Sequence, residues 1–194
     1  MYADIRQCGA VEPKLTWERF WAARDELFAN HVQTPLSAEQ RHGFQGVPRW
    51  GYDPAYRVMG QLDKTVATDT FEVDLPKGRF SYTRVGHAHF AIKGKAAQLS
   101  LFWINGYGGG LFLPFRDATN GSAINGAQTY GGGRYLYDAI KGADLGAGTD
   151  EIVLDFNYAY HPSCAYQSIY TCPLAPAENK LGLAIEAGEK RFCT

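Results

Sequence analysis

The stretch HPSCAYQSIYTC brings His161, Cys164, Tyr166 and Cys172 close together in the chain. Three chemistries suit these residue types. Cys164 could be a nucleophile with His161 as its base, the generic cysteine–histidine scheme. His161, Cys164, Cys172 and the later Glu178 could hold a metal ion, although H-x-x-C-x7-C is no standard ligand spacing. The two cysteines could also close into a redox-sensitive bridge. Against all three stands the plainest fate of the type. Free cysteine is among the most buried side chains, and nothing in the sequence signals a lowered thiol pKa. No stoichiometric zinc and no cofactor are therefore expected.

Other polar groups fall at strand ends. LPFRDATNG sets Arg116 and Asp117 directly after an apolar run, and TYGGGRYLY sets Thr129, Tyr130 and Arg134 around three glycines. A guanidinium fork matches a carboxylate or phosphate bidentately, so Arg134 is the expected ligand-gripping cation. The competing expectation is an Arg–Asp pair tying two long loops together, and for Arg116 it leads, because Asp117 is adjacent. In IVLDFNYAYHP, Ile152, Leu154 and Phe156 face one way, which gives Asp155 and Asn157 the opposite face. Asp155 could act as a base or orient an arginine, whereas Asn157 is expected to bond loop backbone. Prolines Pro173 and Pro176 fix the path that delivers Glu178 and Asn179. In HAH, His87 and His89 share one side of a strand, with Ala88, Phe90 and Ile92 inward. No carboxylate or third histidine follows at a matching place, so no metal site is expected there.

These residues need elements to hold them. KLTWERFWAARDELFANHV carries Trp17, Phe20, Trp21, Leu27 and Phe28 at helical spacing, which predicts a helix over Thr16–Val32 capped by Thr16. Ser37 and Gln40 stand in the capping-box relation before a short second helix that Gly43 ends. Asp53-Pro54 reads as a turn or helix start. From about Tyr56 the period changes to two: TFEVDL, RFSYTRV, HAHFAI, AAQLSLFWI, GLFLPF, GRYLY and EIVLDF all read as strands, and LGLAIE as a last one. The expectation is a single α+β domain with N-terminal helices packed on an antiparallel, barrel-like sheet, a split barrel being one form of it. Within it, residues 1–14 form an arm, 15–45 a helical segment and 56–194 a β-rich core. The long segment 155–179 is too aromatic for a disordered tail and too long for a simple connection. It reads as a lid.

Composition narrows the function classes. Among 194 residues, 14% are aromatic and 22 are glycine, a pairing that suits strands and turns, and the net charge of −1 offers no basic field for nucleic acid. No apolar run approaches the ~18–20 residues of a membrane span, and MYADIRQCGAVEPK lacks the order of a signal peptide. Cytoplasmic residence is the default expectation, with a homo-oligomer open. There is no phosphate loop, dinucleotide fingerprint, G-x-S-x-G elbow, H-E-x-x-H or paired C-x-x-C.

The run LPFRDATNG…TYGGGRYL…IVLDFNYAYHPSCAY…TCPLAPAENKL…AGEK, with PLSAEQRHGF upstream, resembles the DUF1684 family of bacterial and archaeal proteins of unknown function. One departure is His161, where the family is expected to carry Asn, which weakens a Cys164–His161 dyad. The resemblance implies kinship and no activity. Its recurring pieces include Tyr166 and Cys172 and add Tyr160 to the residues named above. The expected catalytic candidates are Asp155, Cys164 and Tyr130. The expected ligand-binding residues are Arg116, Asp117, Thr129, Tyr130, Arg134 and Asn157, with Tyr160, Tyr166, Glu178 and Asn179 on the lid. The expected function is a small-molecule pocket, enzymatic or not, for a carboxylate- or phosphate-bearing ligand. The alternative is a non-catalytic, partner-binding or homodimeric protein whose motif residues hold loops together.

Overall fold

The computed structural model describes residues 1–75, 78–106, 108–121 and 128–192, and Cys193 lies outside them. Three helices open the chain: α1 (Tyr2–Cys8), α2 (Pro13–Asn30) and α3 (Ala38–His42). α1 occupies what reads from sequence as an arm; only Ile5 of it is buried. α2 starts at Pro13, whose missing N–H costs nothing in a first turn. Its N-cap is Glu12, and Thr16 is buried inside the helix, not the expected cap. Phe20, Trp21 and Phe28 face the core, while Leu27 lies at the margin of that stripe and stays 39% exposed. α3 has the expected capping box, with Gln40 N–H donating to Ser37 Oγ (3.2 Å) and Ser37 N–H to Gln40 Oε1 (2.8 Å), and ends at Gly43.

Asp53 caps a 3-10 turn, Pro54–Tyr56, that delivers the chain into the sheet. Seven strands follow in one antiparallel sheet: β1 (Arg57–Asp63), β2 (Thr70–Leu75), β3 (Gly78–Ile92), β4 (Lys95–Ile104), β5 (Gly110–Phe115), β8 (Arg134–Asp138) and β9 (Glu151–Asp155). Their order is β8-β5-β4-β3-β1-β9, with β2 pairing β3 off that path. Between β5 and β8 a small parallel pair forms, β6 (Asn120–Gly121) with β7 (Thr129–Tyr130). The register of β3 against β4 shifts between Arg84 and Gly86. Such a bulge bends and twists a strand, and it divides the long β3 into a half that pairs β2 and a half that pairs β1. The sheet curls into a half-barrel.

Alternation sorts the two faces. Leu99, Leu101, Leu113, Leu136, Ile152 and Leu154 pack with α2 in the main core, while Tyr82, Phe102, Ile104, Phe112 and Tyr135 form a second, aromatic cluster. Two sequence expectations fail at the chain's end. β9 stops at Asp155, whose carboxylate accepts Asn157 N–H (3.1 Å) and starts a 3-10 turn, Phe156–Tyr158. Asp155 and Asn157 therefore do not alternate along a strand, and both are buried. LGLAIE forms no strand: Leu181 N–H bonds Arg116 O, and Leu183 O accepts Ala118 N–H, so this backbone straps down loops instead of extending a ladder.

Candidate functional site

The lid is fixed along its length. Tyr160 exchanges both backbone bonds with Tyr135 of β8 (2.8 and 3.1 Å), which brings the two ends of the half-barrel together. At the near end, the Asn157 side chain accepts Asp53 N–H (3.0 Å) and donates to Asp53 O (2.9 Å), while Trp17 and Trp21 donate to Asn157 O. At the far end, Asn179 accepts Ser100 N–H (2.7 Å) and donates to Ser100 O and Pro114 O (2.9 and 2.7 Å). Neighbouring Glu178 takes Arg84 at 2.7 Å. Both amides, buried, act as bolts between the lid and the frame beneath it.

The arginine expected to grip a ligand lies inside the protein. Arg134 is fully buried, and its guanidinium bonds Asp117 Oδ2 and Ile185 O at 2.8 Å each, Glu189 O at 3.2 Å, and Ala187 O. Asp117 Oδ1 accepts Thr119 N–H and O–H (2.8 and 2.6 Å), and Thr119 meets Thr129 Oγ1 (2.8 Å). Gly132 and Gly133 make this possible: a Cβ on Gly132 would stand 2.3 Å from the Tyr130 ring, and Gly133, at φ +96°, abuts Phe115 O. Arg134, Asp117 and Thr129, expected to face a ligand, are here buried in one network of protein groups. Arg116 pairs through its backbone with Asn179 and Leu181 in the strap.

A second buried centre is Glu189, absent from the expected site because an acid in AGEK reads as surface. Its carboxylate takes Arg24 at 2.7 Å, His161 N–H at 2.6 Å and the Tyr166 hydroxyl at 2.7 Å. Burial alone would raise its pKa, but the charge of Arg24 and the bonds from His161 outweigh that and hold it at about 2. His161 Nε2 accepts Tyr130 N–H (3.2 Å) and Nδ1 lies 3.3 Å from Glu189, so the ring is neutral and oriented, and burial lowers its pKa. Both ring nitrogens are engaged by groups other than Cys164. Asp155 is buried beside Arg57 (3.8 Å), and burial pushes its carboxyl up to about 6 against the bonds from Asn157.

The thiols are arranged differently from everything above. Cys164 donates its S–H to Cys172 Sγ, the N–H groups of Cys164 and Ser163 add to it, and Lys141 is close enough to act by its charge. Together they overcome burial and hold the Cys172 thiol down at about 6. The same bond, aided by burial, pushes Cys164 up, while Tyr130 donates to it from the other side. Burial and Cys164 raise Tyr130 to about 12, so its hydroxyl remains a donor. The bond between the two thiols thus favours the ionised form of Cys172 over that of Cys164. Both thiols are free and half-buried. Cys172 and Ser163 line a cavity of about 220 Å³ that α1 and α2 wall on the other side, with Tyr2, Arg24, Tyr160 and His161 also facing it. A larger groove of about 500 Å³ beside α3 is lined by residues such as Glu39, Gln40, Phe44 and Phe192, and no cysteine or histidine is among its described lining residues.

The fold and its clamps define a class: a curled α+β half-barrel whose C-terminal strap is bolted across it by buried polar pairs, with a thiol pair carried by the lid itself. The chain belongs to DUF1684, a family of proteins of unknown function whose model matches residues 42–190. It is similar to the NMR solution structure of an uncharacterized protein of Haloarcula marismortui, at 32% identity and a TM-score of 0.63, covering 92% of this chain and 94% of that one. No curated protein matches. Among the described residues, no helix is long and apolar enough to cross a membrane.

Proposed function

We propose that the chain binds a small molecule in the cavity beneath the lid and reacts with it through the Cys172 thiolate. What carries this reading is the place of Cys172 on the cavity wall, with a hydrogen bond from Cys164 and backbone N–H groups that favour its ionised form. The wall offers little net positive charge, because Arg24 is matched by Glu189 and Lys141 by Asp138 (2.9 Å). That favours a small neutral electrophile over the carboxylate or phosphate expected from Arg134, and 220 Å³ suits only a few heavy atoms.

A hydroperoxide fits. Cys172 Sγ attacks the terminal peroxide oxygen, the O–O bond breaks, and the leaving alkoxide or hydroxide takes a proton from solvent. The resulting sulfenic acid is then attacked by Cys164 Sγ, which loses its proton as water departs, leaving a Cys164–Cys172 disulfide. A small cellular thiol returns both sulfurs to the reduced state, consistent with a reducing, cytoplasmic setting. Closure of the other motif residues on one another supports a second reading, a purely structural protein. Hydrogen peroxide and mass spectrometry separate the two, with Cys8 as internal comparator. The reactive reading expects rapid, thiol-reversible loss of two hydrogens between Cys164 and Cys172, abolished in Cys172→Ser. Oxidation of Cys172 no faster than Cys8 leaves the structural reading standing.

A further inference from the structure

The register of β1 against β3 brings a third donor to the HAH pair. Asp63 stands directly opposite His87, and Gln61 opposite His89. His87 and His89 project to one face of β3, their rings 6.2 Å apart. The donor atoms of Asp63, His87 and His89 all lie within 4.8 Å of one another. We propose that these three residues bind a divalent transition-metal ion.

Three observations support the site. First, all three donors sit on paired strands, so the backbone fixes their relative positions before any ion arrives. Second, the carboxylate is already held: Asp63 Oδ1 accepts Thr65 N–H (2.8 Å) and O–H (2.7 Å). A ligating carboxylate is typically oriented by such outer bonds, and here Oδ2 remains outside them. Third, the donor set is two imidazoles and one carboxylate, which suits zinc, iron(II), cobalt(II) or nickel(II) and not the all-oxygen preference of calcium or magnesium. Ligands around an ion with bonds of ~2.0 Å stand about 3.3 Å apart, a contraction that rotation of three partly or fully exposed side chains can supply. His89 is exposed and Asp63 and His87 half-buried, so the remaining coordination positions are open to water or to an added ligand. This site lies on the strand surface and is argued independently of the thiol cavity.

The test is a zinc titration of the intact protein at pH 7.5, followed through histidine imidazole resonances, which report the site even if thiols elsewhere also bind zinc. The chain has five histidines, so each can be followed. The resonances of His87 and His89 should shift together and saturate at one equivalent, while those of His31, His42 and His161 stay in place. Asp63→Asn should weaken this response by at least about tenfold, and His89→Ala should abolish the saturable shift of His87, both with an unchanged melting temperature before zinc is added. Absence of a response at His87 and His89 up to about millimolar zinc would overturn the proposal. So would a response that Asp63→Asn leaves intact, or one no stronger than that of His31 and His42.

Discussion

Two polar regions of this molecule, both built from the same sequence motifs, have opposite characters. Around Arg134 each charge is matched and enclosed: Asp117 at 2.8 Å, three carbonyls of the strap, and no exposed surface. Cys172, by contrast, is half-buried, borders a cavity, and receives hydrogen bonds that favour its ionised form. A buried ion pair adds little net stability and holds specific partners in register; a perturbed thiol at a cavity is where reactivity is expected. The motif therefore joins two kinds of residue, those that build the frame and those that the frame positions.

The contrast can be broken most forcefully at the clamp. Asp117→Ala leaves Arg134 buried without its carboxylate, and should cost roughly 3–5 kcal/mol in a urea melt; Arg134→Lys should lose stability too, because it forfeits the planar fork. A small effect would mean that the clamp is not structural.

Asp155 gives a pH-dependent version. Its folded pKa, raised to about 6 by burial, means that its contribution to stability is present below the unfolded value near 3.8 and lost as pH rises through about 6. Asp155→Asn should therefore gain on the wild type by up to about 3 kcal/mol at pH 8, with the gain fading toward pH 4. Glu189 has the opposite sign: held at about 2, it supports the fold above its unfolded value near 4.5 and loses that support as pH falls toward 2. Comparing Asp155→Asn with wild type in chemical melts across this range isolates the first effect from the second.

Smaller effects follow at the lid. Asn179→Ala strands the N–H and C=O groups of Ser100 and should cost roughly 1–3 kcal/mol by thermal or urea melt. Cys172→Ser should change stability by no more than about 1 kcal/mol while removing the reactivity. A variant that unfolds instead would place Cys172 with the frame.

Sequence alone shows much of the frame and little of the site. Period-two alternation in HAHFAI and EIVLDF marks strands that the structure contains, and the Ser37–Gln40 pair marks a real helix start, because these signals are local. The end of β9 at Asp155 is hidden, since it depends on a side chain turning back onto Asn157. Asp63 joins His87 only through strand register, which residue spacing does not encode. Glu189 has nothing in its neighbourhood in the chain to distinguish it from a surface acid; Arg24 and His161 come to it from far along the chain. The bond from Cys164, with the backbone N–H groups of Cys164 and Ser163, favours the ionised form of Cys172, and no composition rule carries that.

The central claim is that the lid holds one ionised sulfur at neutral pH. Ultraviolet absorbance of thiolate, titrated from about pH 4 to pH 10 on the reduced protein, tests it directly. A step near pH 6 should appear in the wild type, vanish in Cys172→Ser, and move toward about 8.5 in Cys164→Ala, where the donor is gone. A wild type with no thiolate step below about pH 8 would contradict the account.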